Sequence, residues 1–310
     1  FKTACRRYNE LSKDVNLSFE SVNMPNMNVG VIQREAETRK LFFSEFREKY
    51  NNILTAEQIF IPAGRSFFAN LQSNIFTLLN SKQVFDPILL EFGSSYEAIK
   101  AYRKIILLDD RKQMKFIKNL ETLVKNILHG KHIRHNEEDF LVHENEREVH
   151  INFASSGQQE ALPLVLFLKF ILNTRLASPE NGIVVYIEEP EAHLFPQSQK
   201  SVVEALALLA NVSTTKYQFI ITTHSPYILA SFNNLIEAGN VIKENPEKKE
   251  EVFKIVDESL ILKYEDINAY SLTGGHCEKI MDDEMRLISP TILDEVSNDI
   301  SVQFGELLDL

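Results

Sequence analysis

The sequence predicts an α/β fold in which a largely parallel sheet is combined with a helical lobe. Two apolar runs, residues 183–187 and Tyr217–Thr222, indicate the sheet, because their Val, Ile and aromatic content is typical of buried strands. A helix beginning at Pro196, a residue suited to the first helical position, is expected between them. Short helical periodicities between residues 67 and 129 indicate the helical lobe.

Further elements follow from local patterns in the amino-terminal half. A helical pattern covers residues 35–50, and a short strand is expected at 58–62. Residues 139–153 alternate between polar and apolar side chains on either side of a charged turn, which predicts a hairpin. A buried helix is expected after Gly157, where a long apolar run begins.

The carboxy-terminal half is predicted from weaker signals. Pro226 is expected to begin a helix that ends near residue 238. The remaining expectations, in chain order, are a charged loop at 243–251, strands at 252–256 and 267–272, a glycine turn at 273–275, and a final helix docked on the sheet. That helix places five apolar residues near one face: Ile292, Val296, Ile300, Phe304 and Leu308.

Composition bounds the class of protein. A net charge of −11 disfavours a protein that coats nucleic acid, and 44% apolar residues are ordinary for a globular chain. Two cysteines, Cys5 and Cys277, form no disulfide framework, which predicts a cytoplasmic protein. The longest apolar run, 162–172, is interrupted by Lys169 and is shorter than the roughly 20 residues that span a bilayer, so no membrane partner is expected.

The most informative feature is the acidic turn at the end of the strand predicted at 183–187. Glu188 and Glu189 follow the strand directly, and Pro190 then stops the pairing. Ligands of open α/β sheets bind at the carboxyl ends of strands. Two adjacent carboxylates there suit one residue that holds Mg²⁺ and a second that polarises an attacking water. The alternative interpretation is a charged turn after a core strand.

Two other turns add candidate ligand groups. Ser155, Ser156 and Gly157 open a helix and so present hydroxyls and free N–H groups beside a positive dipole end, which suits an anion. His224 follows the second apolar strand, where it could donate to a phosphate oxygen or hold the attacking water. A lone loop histidine is more often a surface residue.

Taken in order, Ser-Ser-Gly-Gln-Gln, Glu-Glu-Pro-Glu-Ala-His and Thr-His-Ser-Pro resemble the ATP-binding-cassette ATPases. The resemblance implies bound ATP and Mg²⁺. It assigns Glu189 as the general base, Glu188 as the Mg²⁺ residue, and His224 as a contact to the γ-phosphate or the water. Arg65 is a second candidate for that pocket.

The resemblance also implies a head-to-tail ATP-sandwich homodimer, or a larger ring. In such dimers the Ser-Gly-Gln turn completes the site of the facing subunit, which here involves Ser155, Ser156, Gly157 and Gln158. Ser156 stands where the commonest version has glycine.

The motifs are most similar to a soluble branch with the overcoming-lysogenization-defect (OLD) nucleases and the ATPase subunits of PARIS- and Septu-type anti-phage systems. An Ile-Pro-Ala-x-Arg-Ser segment at residues 61–66 supports this subgroup. The resemblance divides the chain into an amino-terminal ATPase lobe (1–66), a helical insertion with hairpin (67–153) and a second ATPase lobe (154–310). No Asp-x-Asp pair follows a strand after His224, so the OLD nuclease module is not predicted.

A phosphate-cradling loop of the form Gly-x-x-x-x-Gly-Lys-Ser/Thr is absent from the 310 residues. Of ten glycines only Gly130 precedes a lysine, and Lys125 stands where the first glycine would be. Because the family carries this loop upstream of the other motifs, the expectation is that it lies before Phe1.

Two function classes stay open, with a non-catalytic scaffold as a third. The first is an ATPase whose nucleotide-driven dimer switches a separate effector, such as a nuclease in bacterial anti-phage defence. The second is a DNA-repair or recombination ATPase of RecF or OLD type that clamps DNA. The acidic charge and short helices favour the first. His129, His132 and His135 raise a metal site as an alternative, but Gly130 favours a polar surface loop.

Overall fold

The structure is a computed structural model that describes residues 38, 41, 45, 57–70, 87–101, 111–136, 138–173, 183–212, 217–289 and 301–308. Residues 38, 41 and 45 are helical, as predicted for 35–50, and the other residues of that prediction lie outside the described residues.

The described residues form both helices and strands. In chain order they are β1 (Glu57–Ile61), α1 (Ser66–Asn70), α2 (Pro87–Ala101), α3 (Arg111–Leu128), β2 (Lys131–His135), β3 (Glu138–Val142), β4 (Glu148–His150), α4 (Ser156–Asn173), β5 (Ile183–Glu188), α5 (Pro196–Val212), β6 (Tyr217–Thr222), α6 (Pro226–Glu244), α7 (Lys249–Val252), β7 (Tyr270–Thr273), β8 (His276–Lys279), β9 (Met281–Asp282), β10 (Leu287–Ile288) and α8 (residues 301–308).

A parallel sheet with the order β1-β5-β6 confirms the predicted fold class. Its register places Ile61 beside Ile187 and Glu188 beside Thr222, so all three strands end at one edge. Alternate residues of β5 are fully buried, whereas alternate residues of β6 are exposed. The expectation that β6 is a buried strand is therefore wrong, because none of its residues is fully buried and every second one is exposed on one face of the sheet.

Helices α1, α2 and α3 share an apolar core with α4. Phe68 of α1 and Phe167 of α4 lie on either side of Phe92 of α2, with ring centroids 4.9 Å and 5.0 Å away. Helix α3 packs against both α4 and α5 through buried residues such as Leu120 and Ile127. The packing fixes the start of α4 relative to the sheet edge. No helix in the described residues has the length and apolar character needed to cross a membrane.

The second sheet corrects one prediction and confirms another. The predicted hairpin is present as β3 and β4, but β2 adds a third antiparallel strand where a polar loop was expected. Its sequence, Lys-His-Ile-Arg-His, contains one apolar residue, so no alternation marked it as a strand. His132 Nε2 lies 2.8 Å from Asp139 Oδ1, a pairing within the sheet.

Most predictions for the carboxy-terminal part are wrong in detail. Helix α6 continues to Glu244, and the predicted loop at 243–251 contains a 3₁₀ turn and α7. Residues 252–256 form the end of α7 and turns, because Phe253 N donates to Lys249 O and continues the helical pattern. Of the strand predicted at 267–272, only the end lies in β7. The glycine turn is confirmed, since Gly274 and Gly275 have φ of 60° and 81°.

The described part of the final helix is not docked on the sheet. In α8 the side chains of Val302, Phe304, Leu307 and Leu308 are all exposed. The predicted docking is therefore wrong for residues 301–308, and residues 292–300 of that prediction lie outside the described residues.

Candidate functional site

The acidic turn lies at the carboxyl edge of the parallel sheet. Glu189 N donates to Thr222 O at 2.9 Å, so β5 stays paired with β6 one residue beyond its end. The φ of Glu189 is 40°, a left-handed value that is uncommon for residues other than glycine. This backbone leaves the Glu189 side chain 43% exposed. A strained residue with an accessible carboxylate is typical of a functional site.

His224 lies directly beside this carboxylate. Its Nε2 is 3.7 Å from Glu189 Oε1, and its side chain is 88% exposed. Glu191 holds the backbone of His224, because His224 N donates to Glu191 Oε1 at 2.8 Å. Thr223 Oγ1 donates to the same carboxylate oxygen at 2.6 Å. The structure thus brings the two residues predicted as catalytic together at the exits of neighbouring strands.

Glu191 connects the two turns of this edge, and the sequence pattern did not single it out. One carboxylate oxygen joins the turn after β5 to the turn after β6, and the other, Oε2, is buried and has no hydrogen-bond partner among the described residues. The sequence signal was its position two residues after the paired glutamates. By anchoring the exit of β6, Glu191 determines where the His224 side chain can reach.

The carboxylates at this edge fit magnesium only in combination with other ligands. Glu188 Oε2 accepts from Ala63 N at 3.2 Å, which orients this side chain across the edge. Within the described ranges, no three His, Cys, Asp or Glu side chains converge into a metal site. Mg²⁺ commonly takes one or two carboxylates and completes its shell with water and phosphate oxygens. Glu188 is therefore suited to a magnesium that arrives with a phosphate ligand.

Arg65 occupies a different position from the one expected. Its side chain is 0% exposed and lies behind the acidic turn. Its Nη1 donates to Pro62 O and Glu188 O at 2.7 and 2.8 Å, and its Nη2 donates to Glu189 O at 3.0 Å. Nε donates to Glu160 O at 3.1 Å, and Nη2 also lies 3.3 Å from Glu160 Oε1.

Four guanidinium N–H groups thus donate hydrogen bonds within the chain, and the side chain is fully buried. Arg65 thus holds the backbone of Glu188 and Glu189, and its expected contact to a nucleotide stays a prediction. Burial lowers the pKa of Arg65, and the negative charge of Glu160 acts in the opposite direction, followed by Glu191, Glu189 and Glu188. One cation thus lies among four carboxylates, which leaves a net negative edge.

Glu160, one turn into α4, was also missed by the sequence analysis. Its carboxylate accepts from Arg65 N and Ser66 N, each at 2.8 Å, and it is 1% exposed. A single acid before a long apolar run was the available signal, yet its partner lies 95 residues away. Buried carboxylates require such partners because desolvation of an unpaired charge is costly.

The Ser-Ser-Gly turn begins α4 with a reciprocal cap. Gln158 N donates to Ser155 Oγ at 3.3 Å, and Ser155 N donates to Gln158 Oε1 at 3.1 Å, which is a capping-box arrangement. The Gln158 amide also donates to Leu128 O at 2.8 Å. The buried Gln158 side chain therefore bonds within the chain, and its expected contact to a nucleotide stays a prediction.

The other residues of this turn remain suited to an anion. Ser155 and Ser156 are exposed. The first intrahelical donor is Gln159 N, which bonds to Ser155 O at 3.0 Å, so the N–H groups of Ser156 and Gly157 have no acceptor inside the helix. A Cβ on Gly157 would lie 2.5 Å from His193 O. Glycine is thus needed where the start of α4 meets the turn that follows Glu189.

No curated protein matches the chain. A family model described as AAA ATPase domain matches residues 39–229, which is more than half of the chain and includes Arg65, the start of α4, the acidic turn and His224. The parallel sheet and the clustered acidic turn agree with this α/β class, whose general function is that of a nucleotide-binding ATPase. The chain belongs to the AAA ATPase domain family.

Proposed function

We propose that this chain hydrolyses ATP at the edge formed by Glu188, Glu189 and His224, as an ATPase of the ATP-binding-cassette type. The observation that carries the proposal is the 3.7 Å approach of His224 Nε2 to Glu189 Oε1 at the exits of two parallel strands. Ligands of such sheets bind at this edge. Both side chains are accessible while their backbones are fixed, which is the arrangement that catalysis by positioned groups requires.

Each side chain has a distinct task in this mechanism. Glu189 accepts a hydrogen bond from the attacking water and takes its proton as general base. His224 donates to the γ-phosphate or to that water, so that nucleophile and base stay aligned. Glu188 would hold Mg²⁺, which when bound with ATP supplies positive charge against the phosphate oxygens. The mechanism also requires a phosphate-cradling loop in addition to the motifs of these 310 residues.

The exposed start of α4 supports a dimer in which this turn completes the site of a second copy. Phe153, just before the turn, is 85% exposed, and Phe195, just after the acidic turn, is 77% exposed. Large apolar side chains that flank polar turns are typical of contact surfaces. In the dimer, the hydroxyls of Ser155 and Ser156 and the N–H groups of Ser156 and Gly157 approach the ATP bound by the facing subunit.

The activity test is the Glu189→Gln variant of the full-length protein. We expect ATP to bind with nearly unchanged affinity while turnover falls about 10²–10⁴-fold, the usual cost of removing a positioned base. Glu250→Gln, an exposed acid in α7, serves as the matched control and should turn over ATP at the wild-type rate. Near-normal turnover in Glu189→Gln would contradict the assignment.

Assembly is tested in the Glu189→Gln background, where ATP persists. Solution mass should show a dimer at micromolar concentration with ATP and Mg²⁺, because a ligand that binds the dimer shifts association by mass action. Ser155→Arg should abolish this dimer, whereas Ser94→Arg, at an exposed serine of α2, should not. A monomer under these conditions argues against the sandwich, and a dimer that survives Ser155→Arg is held together by another surface.

We further propose that the dimer switches a separate effector, such as a nuclease in bacterial anti-phage defence. Support comes from the resemblance of the acidic turn to that group and from the net charge of −11, which disfavours a DNA clamp. The alternative, a RecF- or OLD-type ATPase that clamps DNA, predicts tight binding of duplex DNA by the ATP-bound dimer. Such binding would weaken steeply between low and moderate salt, and its observation would favour the alternative.

A further inference from the structure

Helix α4 holds the acidic turn at two points, one near Glu188 and Glu189 and the other at His193. At the near end, Glu160 of α4 binds Arg65, whose guanidinium holds the carbonyl oxygens of Glu188 and Glu189. At the far end, Gly157 of α4 lies so close to His193 O that a Cβ would clash with it. These two contacts close a ring that contains the start of α4 and the backbone of Glu189.

We infer that Arg65 and Glu160 form a positioning pair. The pair couples the nucleotide that contacts the start of α4 to Glu189, the base that acts on the other nucleotide of the dimer. This inference rests on the proposed sandwich dimer. There, the start of α4 serves the facing subunit's site, whereas Glu189 serves the site of its own subunit. Arg65 touches neither nucleotide and acts through the backbone that it holds.

The physical basis of this coupling is that the Arg65 and Glu160 side chains cannot move freely relative to each other. Both side chains are fully buried, and the Glu160 carboxylate also binds the backbone N–H groups of Arg65 and Ser66 at 2.8 Å. Separating the two groups would leave an unpaired charge in the protein interior, which is far more costly than a small shift of the whole unit. A displacement of α4 is therefore passed to the carbonyls of Glu188 and Glu189.

The guanidinium is the group that this connection requires. Its planar fork makes donors point in fixed directions, and here they reach Pro62 O, two carbonyls of the acidic turn and Glu160. Lysine keeps the positive charge but offers three donors from a single point. Arg65→Lys thus preserves the charge and removes much of the bridge.

The coupling has a measurable consequence. When ATP binds against the start of α4 in one subunit, Glu189 of that subunit is placed for the second ATP. Turnover should accordingly rise cooperatively with ATP concentration in the wild-type protein. A variant that binds both nucleotides but has lost the bridge should lose the cooperativity along with the rate.

The test compares full-length wild-type protein with Arg65→Lys and Glu160→Gln. We expect kcat to fall about 10–100-fold in Arg65→Lys, the scale of a small misplacement of a reacting group. KM should change little, and the ATP-induced dimer should persist when Arg65→Lys is combined with Glu189→Gln. Glu160→Gln, which keeps one acceptor oxygen, should show a smaller loss of kcat. Asn240→Ala removes buried hydrogen bonds far from the ring and controls for destabilisation, with wild-type turnover expected.

Two kinetic outcomes would overturn the inference. Wild-type kcat with intact cooperativity in Arg65→Lys would show that the bridge is not needed. A raised KM at unchanged kcat would show that Arg65 binds nucleotide directly.

A second measurement is independent of ATP. Amide hydrogen exchange across residues 188–194 should be faster in nucleotide-free Arg65→Lys than in wild-type protein, whereas exchange in the β7–β8 hairpin should not change. Unchanged exchange at 188–194 would refute the positioning role even if the wild-type protein proved to have no ATPase activity. The inference and the proposed function can therefore fail separately.

Discussion

The carboxyl edge of the parallel sheet consists of two layers of ionisable side chains, one buried and the other exposed. The inner layer, Arg65, Glu160 and Glu191, is buried and bonded to backbone groups. The outer layer, Glu189 and His224, is exposed, and its side chains lie 3.7 Å apart. The inner charges fix the backbone from which the outer groups project, so reactivity and rigidity are assigned to different residues.

The difference follows from solvation. A buried charge must be paired and hydrogen-bonded, and this requirement makes the inner layer stiff. An exposed carboxylate or imidazole is solvated by water and stays available to a ligand. The outer layer carries backbone strain instead, since Glu189 has a φ of 40°. Substitutions in the inner layer should therefore lower stability as well as turnover, whereas substitutions in the outer layer should lower turnover without a comparable loss of stability.

The largest effect is expected for stability in the inner layer. Glu160→Ala leaves the guanidinium of Arg65 buried without its counter-charge and should lower the free energy of unfolding by about 3–5 kcal/mol. The matched change, Glu144→Ala, breaks the exposed Lys125–Glu144 pair and should cost about 1 kcal/mol at most. Urea denaturation of the two variants measures the difference. Equal losses would show that burial does not separate the layers.

Removal of the His224 imidazole should leave stability nearly unchanged and lower turnover. His224→Ala is expected to change the free energy of unfolding by no more than about 0.5 kcal/mol, because the side chain is largely solvated. Turnover should fall about 10²–10³-fold, the cost of losing a donor aimed at developing charge. His276→Ala, an exposed histidine of β8, should affect neither quantity. A stability loss in His224→Ala comparable to that of Glu160→Ala would show that the two layers do not differ in their contribution to stability.

The sequence predicted the outer layer and missed most of the inner one. Glu188, Glu189 and His224 stand directly after apolar strands, so a local pattern marks them. Glu160 and Arg65 pair across 95 residues, and no local pattern connects them. Gln158 and Arg65 were recognised as special residues, but their amide and guanidinium groups turned out to bond within the chain. Recognition of a polar residue does not indicate whether its partner is a ligand or the backbone.

The same reasoning applies to the fold. The three strands of the parallel sheet were predicted because continuous apolar runs mark buried strands. Strand β2 was missed because its only signal is its partner, β3. The extension of α6 and the helix at Lys249–Val252 were missed because charged residues suit both a solvated loop and an exposed helix. Tertiary context, absent from a local pattern, decided these cases.

The smallest expected effect concerns the strain stored in the outer layer. Glu189 and Glu146 both adopt a left-handed backbone, with φ of 40° and 60°. Asparagine tolerates this conformation better than glutamate does. Each Glu→Asn change should therefore raise the free energy of unfolding by up to about 1 kcal/mol, the lower end of the cost of such strain.

The two substitutions are chemically identical but differ in their surroundings. Glu189 lies beside Glu188 and Glu191, so its neutralisation also removes repulsion, and Glu189→Asn should gain at least as much stability as Glu146→Asn. A gain of this size corresponds to a melting temperature higher by about 2 °C, measurable without nucleotide or Mg²⁺. Turnover should vanish in Glu189→Asn and stay intact in Glu146→Asn. If Glu189→Asn melts below the wild-type protein, the Glu189 carboxylate stabilises the fold, and the outer layer is not maintained at the expense of stability.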